Sequence, residues 1–387
     1  MRGRLGRIAG HLAPGAAAQP TLHGGDGGEE AEPVISAEMR AHWEEHGWVL
    51  VPDAVPKENL EAVIADIFEF IGGSPDDPES WYATTEQQGS PVPAYGQGSM
   101  VQMFQTQALW DNRQSPRVYR AFAELYGREE MSVSIDRANL KPPQRPQSPG
   151  WGKASAVHWD MPPEQLGSPK MPDTMRIQGV LYLADTPANG GGFQCVSGFH
   201  HRFEQWVETV APEDRGKNFE QQPTLKHLKA EPIVGKAGDL VSAFQPRLSP
   251  LSLLASRLSP LGSPLAADSV HPLAVWNSFL PHGNAENTSD VPRLAQFITM
   301  IPADSTGNEG LDMPGIWRNG GLTFADHEEE RQDRVHRWKH RIAGLSGPAV
   351  EGMASGEALN VYERSRPTAP AKLTELGEKL LGVRPWH

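Results

Sequence analysis

Apolar residues recur at three- and four-residue steps in only a few places along this chain. Leu60, Val63, Ile64, Ile67, Phe68 and Ile71 fall on one face of a helix that Gly72-Gly73 stop, and that stripe reads as core. Ser115 caps a second helix, with Pro116 in its first turn, Val118, Ala121, Phe122 and Leu125 on the buried face, and Gly127 as its stop. Ser36 caps a shorter one running to His46. A further helix is capped by Asp326. Glu328, Glu329 and Glu330 fill its first turn and Arg337, Lys339, His340 and Arg341 its end, complementing the dipole at both ends and reading as a solvated face.

Shorter stretches alternate, or run apolar for four to ten residues between turn signals. They predict strands at 47–51, 100–105, 131–140, 175–183, 193–196, 238–241, 273–280 and 294–301. In the 100–105 stretch Gln102 and Gln105 lie on opposite faces, so at most one reaches a given pocket, and both read as surface amides. The Pro-, Gly- and Ser-rich loop from Ser74 to Ser99 is either a lid or disordered.

Composition narrows the architecture. The 387 residues are 38% hydrophobic, enough for a large core, and 39 Gly with 35 Pro indicate many loops, so a decorated β-barrel fits better than a helix bundle. A net charge of −13 argues against nucleic acid or an anionic membrane surface as partner. No run of 18 apolar residues suggests a membrane span. Cys195 is the one cysteine, which rules out an intrachain disulfide and a Cys-based zinc site and fits a reducing compartment.

Candidate chemistry centres on Ala156-Val157-His158-Trp159-Asp160. Residues i and i+2 of a strand share a face, so His158 and Asp160 present an imidazole and a carboxylate to one point. His282 supplies a third donor. Two His and one carboxylate on one face of an octahedron leave three positions open, the arrangement that suits non-heme Fe(II) activating dioxygen. With 14 His, roughly one His-x-Asp is expected by chance, so the pair alone says little. Arg293 adds to it. Turn-rich residues (Asn284, Asn287, Ser289, Asp290, Pro292) separate it from His282, which predicts a hairpin with both side chains on one pocket. Arginine grips a carboxylate with two parallel bonds, so the spacing suggests an iron site with a dicarboxylate beside it. His200 and His201, past a glycine at a strand end, read as structural or exposed.

Two segments stand apart from the fold. The first thirty residues are rich in Gly, Ala and Pro and carry Arg2, Arg4 and Arg7 before any acid. Within them Arg4-Leu5, five residues, then His11-Leu12 resembles an N-terminal peroxisomal import signal, which implies an import receptor as partner; a mitochondrial presequence or a plain basic tail are the alternatives. Between Val241 and Leu273 the chain repeats itself as Arg247-Leu248-Ser249-Pro250-Leu251 and Arg257-Leu258-Ser259-Pro260-Leu261. That insert, 242–272, is a surface loop or a retained intron. The expected organisation is therefore a disordered tail over 1–33, a catalytic domain over 34–303 interrupted by the insert, and a helical and loop extension over 304–387 packing on the core.

His158-x-Asp160, Asn139-x-Lys141-Pro142-Pro143, Asn189-Gly190-Gly191 followed by Ser197-Gly198-x-His200, Gly238-Asp239-Leu240, and His282 with Arg293 together resemble the phytanoyl-CoA dioxygenase family, from about Glu38 to Ile301 and again from Leu373 to Trp386. The resemblance implies a mainly β protein with a double-stranded β-helix (jelly roll, cupin-like) core and flanking α-helices, acting as an Fe(II)- and 2-oxoglutarate-dependent dioxygenase. It implies His158, Asp160 and His282 as iron ligands and Arg293 as the clamp on the distal carboxylate of 2-oxoglutarate. With Asp160 rather than a small residue between the histidines, hydroxylation is expected, not halide chemistry. Asn284 stands where the family often has a small hydroxyl residue contacting the cosubstrate, and Gln102 or Met100 replaces a basic cosubstrate contact. The substrate the resemblance implies is a small organic or acyl molecule, an acyl-CoA among them. A jelly-roll metalloprotein without 2-oxoglutarate activity would keep the trio without needing Arg293.

Overall fold

The computed structural model describes residues 32–86, 93–159, 177–209, 228–235, 273–277, 280–306, 316–318, 322–342 and 369–387. Asp160, the 238–241 strand, the insert 242–272 and the import-signal segment lie outside them. The helices are α1 (Ala37–His46), α2 (Lys57–Ile71), α3 (Gln107–Arg113), α4 (Pro116–Tyr126), α5 (Phe203–Thr209), α6 (His327–His340) and α7 (Glu375–Leu381). The strands are β1 (Trp48–Val51), β2 (Met100–Val101), β3 (Met131–Val133), β4 (Ala138–Lys141), β5 (Ile177–Tyr182), β6 (Phe193–Cys195), β7 (Glu231–Pro232), β8 (Leu273–Asn277), β9 (His282–Asn284), β10 (Arg293–Phe297), β11 (Met300–Pro302), β12 (Ile316–Arg318) and β13 (Leu322–Phe324).

Two antiparallel sheets face each other. The larger has the order β1-β8-β5-β10-β4-β2 and the smaller β7-β6-β9. Alternation along β10 turns Leu294 and Gln296 to one side and Arg293 and Ala295 to the other. The first side is covered by helices: Gln296 Nε2 donates to Leu109 O (2.9 Å), and its Oε1 accepts from Asn112 Nδ2 (2.9 Å). The second meets the small sheet, where the Tyr182 hydroxyl donates to Ile233 O (3.2 Å) and accepts from Phe193 N (3.0 Å).

The helical stripes form where the pattern predicts them. Leu60, Val63, Ile67, Phe68 and Ile71 of α2 are buried, joined by Phe70, while Ile64 is half-buried; each full burial contributes about 1.5–3 kcal/mol. Gly72 ends the helix at φ 68°. Ser36 caps α1 by accepting from Met39 N (3.2 Å), and Asp326 caps α6 by accepting from Glu329 N (2.9 Å). Ser115 stands at the α4 cap position but makes no cap bond; its hydroxyl donates to Ala54 O (2.8 Å) instead.

Several expectations are corrected. The 131–140 stretch is two strands in different sheets: β3 pairs with β11, and β4 with β10. Asp136 lies between them with its carboxylate accepting from Arg137 N (2.7 Å), a local bond that competes with a ladder. The 100–105 stretch is a strand only at β2, and its two glutamines are buried rather than surface amides. Gln105 donates to Ile342 O (2.7 Å) and accepts from Trp110 Nε1 (2.9 Å). Nor is α6 solvated throughout: Glu330 and Arg337 are buried on it, with Arg334 paired to Glu330 and Arg337 Nε 2.5 Å from Asp333 Oδ2. The helix α3 has no counterpart in the pattern reading. The 74–99 loop is pinned along its described parts by buried Trp81 and Tyr95, with the Tyr82 hydroxyl donating to Pro143 O (2.8 Å).

The predicted 282–293 hairpin is also corrected. β9 belongs to the small sheet, against β6, and β10 to the large one, between β5 and β4. The chain crosses from one sheet to the other between them.

At the chain's end, Trp386 Nε1 donates to Met131 O (3.2 Å) and Arg334 Nε to Leu381 O (2.8 Å), which ties α6 and α7 to the body of the fold.

Candidate functional site

The segment ending at Trp159 joins the small sheet as a fourth, bridging element. His158 and His282 face each other across an antiparallel bridge, exchanging both backbone bonds: His158 N to His282 O at 2.8 Å and His282 N to His158 O at 2.9 Å. Residues paired this way project to the same face, and the two imidazole centroids are 4.9 Å apart. Trp159, turned to the opposite face, is fully buried against Phe199 and Trp206, with centroids 5.8 and 5.0 Å away. That packing holds the bridge in place.

Each ring is oriented from behind. His158 Nδ1 lies 2.8 Å from Ala156 O and His282 Nδ1 3.0 Å from Leu280 O. A carbonyl oxygen only accepts, so Nδ1 carries the proton in both rings and Nε2 carries the lone pair, the tautomer a metal ligand needs. The two imidazoles therefore offer the kind of nitrogen donor that a divalent transition metal takes. Asp160 is outside the described residues, and among the described residues no group of three His, Cys, Asp or Glu side chains is placed to hold a metal. On the other side of β9, Cys195 pairs with His282. Burial pushes its thiol well above the usual range, which makes it a packed apolar group rather than a thiolate donor.

Arg293 enters from the large sheet. It is 1% exposed, and Nη2 donates to Asn284 Oδ1 at 2.7 Å. Asn284 is two residues past His282 on β9, so one strand face carries both a histidine of the pair and the partner of the guanidinium. Among the described residues, Nε and Nη1 of Arg293 are buried without a hydrogen-bond partner. Burial lowers the guanidinium to about 10, opposed by neighbouring Tyr182, whose own phenol burial raises to about 12. A buried cation with unfilled donors is a costly arrangement that an anion relieves.

Lys141 pairs directly with Arg293 across β4 and β10, and its Nζ donates to Ala285 O at 2.5 Å. Burial first and Arg293 second lower it to about 7; Glu286 opposes. Among the described residues neither cation has a carboxylate within ion-pair distance. Asn139, paired with Ala295 on the same face as Lys141, has a buried Oδ1 with no partner among the described residues. Lys141 and Asn139 carry no role in the spacing-based reading, although both stand in the motif that gives the family resemblance; the signal was their i, i+2 placement on one strand.

The remaining candidates sit elsewhere or differently. Gln102, 4% exposed, accepts from Arg137 Nη1 (3.1 Å). His200 and His201 both reach Glu44 O, through Nε2 at 3.1 and 2.8 Å.

No family model matches the chain. It is 25% identical over 299 residues to a protein of Dictyostelium discoideum named "Putative phytanoyl-CoA dioxygenase", covering 69% of this chain and 75% of that one. It is 22% identical over 280 residues to "Ava biosynthesis cluster protein O" of Aspergillus versicolor, covering 71% and 80%. Among solved structures, the non-heme alpha ketoglutarate dependent carbocyclase SnoK from nogalamycin biosynthesis aligns at a TM-score of 0.41 and 18% identity, over 76% of this chain and 97% of that one. In sequence the chain resembles the phytanoyl-CoA dioxygenase family, to which its own motifs around Asn139, His158 and His282 also point.

Proposed function

We propose that this chain is an Fe(II)- and 2-oxoglutarate-dependent dioxygenase that hydroxylates a small organic or acyl substrate, on a double-stranded β-helix formed by its two facing sheets. His158, Asp160 and His282 hold the iron, and Arg293 grips the distal carboxylate of 2-oxoglutarate, with Lys141 and Asn284 beside it. When bound, iron with 2-oxoglutarate and dioxygen supplies the oxidising power for hydroxylation, with release of succinate and CO₂.

The chain's own part is positioning. The backbone carbonyls of Ala156 and Leu280 fix which imidazole nitrogen is offered. Arg293 and Lys141 place positive charge on the large sheet, across from the histidine pair on the small one, so a dicarboxylate is favoured and held in one direction. Burial of both cations keeps water from competing for that carboxylate.

The observation that carries the reading is buried Arg293, whose Nε and Nη1 have no hydrogen-bond partner among the described residues, on the sheet that faces the His158–His282 pair. It favours 2-oxoglutarate over a metalloprotein that has no use for a dicarboxylate. The test is succinate release by the purified protein with Fe(II) and 2-oxoglutarate across a panel of lipid acyl-CoA esters and small metabolites. Substrate-dependent succinate supports the reading; no 2-oxoglutarate consumption under any condition, in a protein that binds iron, returns it to the metalloprotein alternative. The segment from Arg4 to Leu12 extends the proposal to delivery by a peroxisomal import receptor, for which a fluorescent fusion with and without those residues is the check.

A further inference from the structure

Asn287 is fully buried in the 285–292 crossing, with its amide bonded at every position it has. Nδ2 donates to Lys141 O (2.8 Å) and Val291 O (3.0 Å), while Oδ1 accepts from Ser289 N (3.1 Å) and from the Ser289 hydroxyl (2.7 Å). Carbonyl oxygens only accept and a backbone N–H only donates, so the amide stands in a single orientation. Its backbone is engaged as well: Asn287 N donates to Gly152 O (2.8 Å), and Asn287 O accepts from Gln144 N (2.7 Å). Gly191, at φ 78°, comes so close on another side that a Cβ would stand 2.8 Å from Asn287 Cβ.

Those bonds reach both walls of the site. Lys141 ends β4, and Val291 lies two residues before Arg293, the first residue of β10. Gly152 leads to Ser155, whose N donates to Asn284 O (3.0 Å) and whose hydroxyl accepts from Asn284 N (2.7 Å), and from there the chain runs on to His158. A single residue thus carries bonds to the cation wall through its side chain and to the histidine wall through its backbone.

Resting on the proposed 2-oxoglutarate site, we propose that Asn287 is a positioning residue that sets the span between the two walls and so selects the length of diacid they accept. It acts through Lys141, Arg293 and the 152–158 segment. A 2-oxo diacid anchored at both ends has no slack, so one methylene more or fewer takes one end off its anchor and costs about tenfold in affinity.

Calorimetric titration of the full-length protein, with Fe(II) under anaerobic conditions, compares oxaloacetate, 2-oxoglutarate and 2-oxoadipate, which differ by single methylenes, with 2-oxobutyrate, which has no distal carboxylate. Wild type should favour 2-oxoglutarate over both of its neighbours by about tenfold. In Asn287→Ala that preference should shrink to about threefold or less, with 2-oxobutyrate bound as in wild type. Ser289→Ala removes one of the two bonds that hold Oδ1 and opens no cavity around the amide, so it should narrow the preference part of the way even if Asn287→Ala fails to fold. An unchanged preference in whichever variants fold, or a wild type that binds all three diacids alike, would overturn the proposal. Equal losses for the diacids and for 2-oxobutyrate would make Asn287 a framework residue only; the proposal would fall and the 2-oxoglutarate site would stand. No binding of 2-oxoglutarate by iron-loaded wild type would remove that site itself.

Discussion

His158 and His282 are bonded to each other through both of their backbones, at 2.8 and 2.9 Å, although they are 124 positions apart in the chain. The pair is thus set by a ladder rather than by its side chains. Anything that shifts the 155–158 segment against β9 moves both rings.

Gly283 tests that dependence. A Cβ there would stand 2.7 Å from Ser155 Oγ and 3.0 Å from Ala156 O. Gly283→Ala must therefore turn the Ser155 hydroxyl away from Asn284 N and shift the Ala156 carbonyl against β9, at a cost of about 1–3 kcal/mol in stability. The expected result is a folded protein with a lowered thermal midpoint and a clear loss of Fe(II) stoichiometry, read by metal analysis after desalting. Full iron content would show that the ring pair tolerates displacement.

Arg293→Leu should raise the KM for 2-oxoglutarate about ten- to hundredfold while changing kcat much less, because it removes binding at the end of the molecule that does not react. Since this cation is buried with no carboxylate partner among the described residues, the empty protein should not lose stability. A large drop in thermal midpoint would instead assign Arg293 to the framework.

Lys141 makes cosubstrate binding pH-dependent. Its amine, ordinarily near 10.5, is lowered to about 7, so in the empty protein it is charged below that pH and neutral above it. Binding an anion beside it must take up a proton at higher pH. Affinity for 2-oxoglutarate should hold steady below about pH 7 and fall above it, by at most about tenfold per unit. Folding stability moves the other way, rising between pH 7 and 10.5 as the unfolded amine loses its proton too. Lys141→Met should flatten both profiles, measured by calorimetry and by thermal melts; an unchanged slope in the variant assigns it to another group.

Acid should loosen the α1 corner. Burial, and His46 nearby, lower His42 to about 4; burial also lowers His200 to about 4, against the carbonyl of Glu44 and with His201 and His46 adding. Both are neutral in the fold and would take up protons near 6.5 when unfolded, so their contribution is full above 6.5 and is lost as pH falls towards 4. Gly47, at φ 77°, lets His200 pack so close that a Cβ would lie 2.7 Å from Nδ1. The thermal midpoint should therefore drop between pH 6.5 and 4.5, and drop less in a His42→Gln, His200→Gln double variant. Parallel curves would place the acid sensitivity elsewhere.

Local chemistry in this chain was readable from the sequence, and long-range pairing was not. The α2 stripe and the Ser36 and Asp326 caps involve residues within one or two turns. The 282–293 segment misled because its turn residues suit a hairpin, while the ladder partner of β9 is β6, Phe193–Cys195, about ninety positions upstream. The burial of Gln102 and Gln105 is hidden for a related reason: amides in an alternating stretch look like surface groups until their partners, Arg137 and Ile342, are known. The convergence of Lys141 and Asn139 with Arg293 likewise depends on register between β4 and β10, which no single segment encodes.

The crossing between sheets at 285–292 leaves the histidine pair and the guanidinium on opposite walls. A diacid reaching from one to the other would act as a removable cross-brace, so amide hydrogen exchange should slow in both walls together when it binds. A monoacid anchored at one end would quiet only the wall it touches.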